Sequence, residues 1–72
     1  MNKKILGWMC EDIRELREKY DVEYVSIYSL RKLLAKRYNK AGISSKESAD
    51  YARGLCDIGA LQVAGAGRFK IL

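Results

Sequence analysis

The stretch Ser44-Ser45-Lys46-Glu47-Ser48-Ala49-Asp50-Tyr51-Ala52-Arg53-Gly54-Leu55-Cys56-Asp57-Ile58-Gly59, followed by Ala60 to Leu72, decides how this chain folds. Ser44 and Glu47 have the Ser-x-x-Glu spacing of a capping box, in which two orphan N–H groups are satisfied reciprocally. A helix over 45–58 follows. Ser48, Tyr51, Ala52, Leu55 and Ile58 lie on one side of it, and Lys46, Asp50, Arg53 and Asp57 on the other. Gly59 supplies its stop.

What comes next is a hairpin with a readable register. A three-residue loop, Gly65-Ala66-Gly67, sets Val63 opposite Phe69 and Leu61 opposite Ile71, so all four share a face. Gly67 then sits where such loops place a left-handed glycine. A two-residue loop would set Val63 opposite Arg68 and mix the faces. The other face carries Gln62, Arg68 and Lys70.

Upstream, residues 29–40 read as a second helix, with Ser29 as N-cap and Leu30, Leu33, Leu34 and Tyr38 as its apolar stripe. Arg31, Lys32, Lys36, Arg37 and Lys40 make this the densest positive block, with no acidic residue in the same segment. Gly42 supplies a stop, and Ile43 plugs the turn. Residues 22–28 (Val-Glu-Tyr-Val-Ser-Ile-Tyr) are β-branched or aromatic in most places and read as a short strand. Residues 3–20 read as the first helix, capped by Asn2, with Ile5, Met9, Ile13, Leu16 and Tyr20 on one stripe. Trp8 lies off the centre of that stripe, where it covers the core's edge or anchors a second subunit.

Composition limits what such a chain can do. At 72 residues it is one domain, 1–72, of a size that buries only about 60% of its unfolded surface and is marginal alone. The net charge of +5 favours an anionic partner, nucleic acid before acidic lipid. There is no histidine, which removes the commonest general base and metal ligand, and no Ser-His-Asp triad can be completed. Gly65 and Gly67 sit in a hairpin and do not open a helix after a strand, so no phosphate-cradling loop is indicated. Catalysis, a metal and a cofactor are therefore not expected. Cys10 and Cys56 read as small buried apolar residues, with a bridge between them the alternative. No apolar run is long enough to span a membrane, and Glu11 and Asp12 interrupt any signal-peptide core. The expected location is the cytoplasm, without a membrane partner.

The order helix, strand, helix, helix, strand, strand resembles the winged helix-turn-helix superfamily over nearly the whole chain. The small size resembles the compact winged-helix regulators of archaea and of their viruses and plasmids. The resemblance implies an α+β fold of three helices and a small antiparallel sheet. It also implies a sequence-selective, double-stranded-DNA-binding transcriptional regulator. The third helix would enter the major groove, and the hairpin 60–72 would be the wing on the backbone or minor groove. Carried onto this sequence, recognition falls to Ser44, Ser45, Lys46, Glu47, Ala49, Asp50 and Arg53. Lys46 and Arg53 can donate to guanine O6 and N7, and Ser44 and Ser45 to a phosphate at the helix start. Lys32, Lys36, Arg37 and Lys40 are expected on the DNA backbone, and Arg68 and Lys70 on the phosphates beneath the wing, or in the minor groove if Arg68 reaches in.

Each of these assignments has a plainer alternative. Ser44 could serve only as a cap, Lys70 could guard an exposed edge strand, and the second helix's cations could form an ordinary solvated face. The five tyrosines are expected mostly in the core or at its edge, not as a base-stacking platform. Glu47, Asp50 and Asp57 share the exposed side of the third helix with its cations. They support an alternative in which the same fold docks a protein and not DNA; RNA is a third candidate partner. A homodimer through the first helix is also expected, on the small size and on Trp8 and Cys10 beside its stripe.

Overall fold

The computed structural model describes residues 1–38 and 42–72. The element order is α1 (Lys3–Tyr20), β1 (Tyr24–Ser26), α2 (Ile27–Tyr38), α3 (Ser45–Asp57), β2 (Leu61–Gly65) and β3 (Arg68–Ile71). Three helices and an antiparallel sheet of order β1-β3-β2 make an α+β domain with the expected sequence of elements.

Local chemistry sets the start of α1. Asn2 Oδ1 accepts from the N–H groups of Lys4 (2.9 Å) and Ile5 (3.2 Å), which have no intrahelical partner. Ile5, Leu6, Met9 and Ile13 are buried and Leu16 packs at the margin. Tyr20, expected to complete the stripe, is 67% exposed. It has the right angular position on the helix, but the last turn runs past the core.

The expected strand over 22–28 is shorter, and α2 starts two residues before the expected 29. Ser26, not Ser29, caps it. The Ser26 hydroxyl accepts from the Ser29 N–H at 3.1 Å, so the chain turns helical at Ile27 despite the strand propensity of Ile27 and Tyr28. Leu30 and Leu34 are buried, while Leu33 and Tyr38 pack beside them. Gly42 has a φ of +77° and Ile43 is buried, as a plug in the turn should be.

Helix α3 begins at the cap foreseen for it, with Ser44 Oγ accepting from the Glu47 N–H at 3.0 Å. The reciprocal half of the capping box differs, because the Glu47 carboxylate faces the Ser44 hydroxyl at 3.4 Å. Ser48, Tyr51, Ala52 and Leu55 are buried, as is Gly54. Ile58 was expected on that side, yet it is 56% exposed. The helix ends one residue early, and Ile58 (φ −88°, ψ 5°) leaves the helical path and swings off the stripe. The chain is then closed by Gly59 N–H donating to the Cys56 carbonyl and Ala60 N–H to that of Leu55.

The hairpin has the expected pairing of Leu61 with Ile71 and Val63 with Phe69, but not the expected loop. Gly65 pairs with Arg68 across a two-residue turn, Ala66-Gly67, and Ala64 is extruded as a bulge. The extra residue keeps the faces in step. Gly67 has a φ of +65°, a conformation that a side chain would strain. Leu61 and Ile71 are buried and Phe69 half-buried, whereas Val63 is 67% exposed because it lies towards the tip, away from the core. Among the described residues no helix is long and apolar enough to cross a membrane.

Candidate nucleic-acid interface

Burying one side of α3 fixes what the other side presents. Ser48, Tyr51, Ala52 and Leu55 point into the core, so Ser45, Lys46, Ala49, Asp50 and Arg53 are all exposed. Gly54 packs against the start of α1: a Cβ there would crowd a Leu6 methyl at 3.3 Å and displace the exposed, flexible Met1 side chain, whose Sδ would lie 2.9 Å away. The sequence offered no sign of that role beyond a glycine in mid-helix, where it costs about 1 kcal/mol relative to alanine.

The electrostatics of this face are mixed. Among the described residues Lys46 has no ion-pair partner. Arg53 approaches Asp50 at 3.9 Å with both side chains well exposed, a contact that adds little stability and leaves the guanidinium free to exchange partners. Ser44 Oγ is engaged by the Glu47 N–H and carboxylate, which favours capping over phosphate binding at that hydroxyl. Ser45 stands exposed in the first turn.

Helix α3 and the hairpin meet along a cleft of about 410 Å³. Ala49, Ala52, Arg53 and Cys56 line it from the helix, and Val63, Gly67 and Phe69 from the hairpin, with Ile27 at its end. The walls are mostly carbon. Burial pushes the Cys56 thiol up from its usual pKa, and both cysteines are free thiols, not a bridge.

The second helix does not present one uniform basic face. Lys36 is exposed, but the Arg37 guanidinium is held by both carboxylate oxygens of Asp12 in α1, with Nε 2.9 Å from Oδ2. That hydrogen bonding keeps Arg37 more firmly protonated than usual. Its guanidinium carbon also lies 5.6 Å from the Trp8 ring centroid, while Lys4 Nζ approaches the same ring at 5.3 Å. Among the described residues assigned to the DNA backbone, Arg37 is thus the one already paired with a carboxylate within the fold. Lys40 lies outside the described residues. Trp8 and Cys10, assigned to a dimer contact, are half-buried on α1 and packed against the core.

On the hairpin, Arg68 and Lys70 are exposed, with no ion pair among the described residues. The Arg68 guanidinium carbon lies 4.3 Å from the centroid of the Tyr24 ring. Tyr24 was not singled out from the sequence, although its alternation with buried Val25 marks it as outward-facing. Of the tyrosines, Tyr51 alone is buried; Tyr20, Tyr24 and Tyr28 are exposed, contrary to the expectation of core or edge positions. Among the described residues no cluster of His, Cys, Asp or Glu could hold a metal ion. No family model matches the chain, and neither a curated protein nor a solved structure matches it.

Proposed function

We propose that this chain is a winged helix-turn-helix protein that binds double-stranded DNA, acting as a sequence-selective transcriptional regulator. In this reading α3 enters the major groove and the hairpin lies against the backbone or minor groove. The supporting observation is the shared cleft. Arg53 and Ala49 of α3 border it opposite Gly67 of the hairpin tip, so helix face and hairpin are offered to one side together. Lys46 and Arg53 are the base-reading candidates, and Arg68, Lys70 and Lys36 the phosphate contacts. A salt titration on a mixed pool of duplex DNA, with sequencing of the retained fraction, tests this. Six phosphate contacts would cost about three orders of magnitude in affinity between roughly 50 and 200 mM salt.

A protein-docking role is the second reading. It is favoured by the carbon-lined walls of the same cleft and by Glu47, Asp50 and Asp57 on α3. Absence of duplex binding at low salt would select it. A homodimer through Trp8 and Cys10 is a separate proposal, and sedimentation showing only an 8.2 kDa species at high concentration would remove it.

A further inference from the structure

The sheet has a solvent face, and its strand pairing specifies what stands there. Tyr24, Lys70 and Gln62 form one row across the three strands, and Ser26, Arg68 and Gly65 the next. The intervening row, Val25, Phe69 and Val63, faces the helices' side, as do Leu61 and Ile71. None of the residues on the outer rows is acidic. Arg68 and Lys70 stand free of ion pairs among the described residues, whereas Arg53, Arg37, Arg17 and Lys19 each have a carboxylate nearby.

We propose that this outer face of the sheet is a second contact surface for the sugar–phosphate backbone of the bound duplex, and that Tyr24 is the residue that positions Arg68 for it. The inference rests on the DNA-binding reading above. Arg68 follows Gly67, which borders the cleft beneath α3, so the stack lies one residue from the edge where helix and hairpin meet. An exposed arginine ordinarily loses much rotamer freedom on binding. The Tyr24 ring holds the planar guanidinium in place beforehand and leaves its N–H edge free for phosphate oxygens. Lys70, directly across from Tyr24 and flanked by Gln62, extends the same surface. A similar pair, Lys32 over Tyr28 at 4.6 Å, spans the first two turns of α2, whose Ile27 N–H donates to the Gly67 carbonyl.

The test is a double-mutant cycle on duplex affinity, read with its salt dependence. Arg68→Ala and Lys70→Ala should each lower the salt slope by about one. Tyr24→Leu should weaken binding roughly two- to fivefold, Tyr24→Phe should restore it, and Tyr24→Leu should cost nothing further once Arg68 is alanine. Gln62→Glu, which sets a carboxylate in the middle of the face, should weaken binding without touching the stack. If Tyr24→Leu is silent, or costs the same with and without Arg68, the positioning role is overturned. If the wild type binds while Arg68→Ala, Lys70→Ala and Gln62→Glu bind equally well, the sheet face is rejected and the α3 reading stands. If the wild type binds no duplex at low salt, both fall together.

Discussion

The hydroxyl of Tyr38 at the end of α2 lies 2.6 Å from the hydroxyl of Tyr51 in the middle of α3, with the two rings nearly perpendicular and 6.3 Å apart. Tyr51 also accepts from the Asn2 backbone N–H at 2.8 Å. One buried phenol therefore ties α2, α3 and the start of α1 together. The relation of α2 to α3 decides how the exposed face of α3 is presented. Tyr51→Phe keeps the ring packing and removes both bonds. It should cost roughly 1–2 kcal/mol in denaturant unfolding, at about 1 kcal/mol per net hydrogen bond. An unchanged unfolding midpoint would show that water replaces Tyr51 at no cost.

The same pair makes stability sensitive to alkali. Hydrogen bonding to Tyr51 comes first among the causes, with burial second, and together they push the Tyr38 hydroxyl from its usual pKa of 10.0 up to about 12. The folded state thus holds this proton after the unfolded chain has released it. The contribution is fully present below pH 10 and is lost as pH rises towards 12. Wild type should lose more stability than Tyr38→Phe across that window. A near-ultraviolet titration should show one of the five tyrosines ionising late. Parallel stability curves for the two proteins would refute the assignment.

What the sequence made legible follows from the range of each interaction. Asn2 and Ser44 act on residues two or three positions on, and both caps were visible as residue types before an apolar run. The hairpin pairing was visible because alternation puts Leu61, Val63, Phe69 and Ile71 on one face and the glycines at 65 and 67 locate the turn between them. The bulge at Ala64 was not, because alternation fixes faces and does not count an extruded residue. At the start of α2 the strand propensity of Ile27 and Tyr28 placed Ser26 inside a strand, so Ser29 alone read as the cap. The site was legible as far as exposure on α3 and the hairpin. The capture of Arg37 by Asp12 and the stacking of Arg68 on Tyr24 join residues far apart in the chain, and no local pattern announces them.

Lys46 and Arg53 stand on the exposed side of α3 and support none of the core. Lys46→Ala and Arg53→Ala should each weaken binding to a selected duplex by about 1–3 kcal/mol if they contact guanine, with the melting temperature unchanged. Asp50→Asn should act in the opposite direction on unselected DNA, because it removes a carboxylate that repels phosphate and loosely holds Arg53. Filter binding against selected and random duplexes measures all three. If both cation variants bind the selected site as tightly as wild type, α3 is not the reading helix.

Leu55 offers the contrasting case on the same helix. It is fully buried beneath the exposed face and packs into the core shared with α1, α2 and the hairpin. Leu55→Ala should cost roughly 2–5 kcal/mol, as removal of a buried leucine leaves a cavity the surroundings fill only in part. For a domain of this size that is a large share of the total, so chemical denaturation should show a sharply lowered midpoint or no folded baseline. A midpoint shift of under about 1 kcal/mol would mean the core collapses around the site and that Leu55 is not central to holding α3.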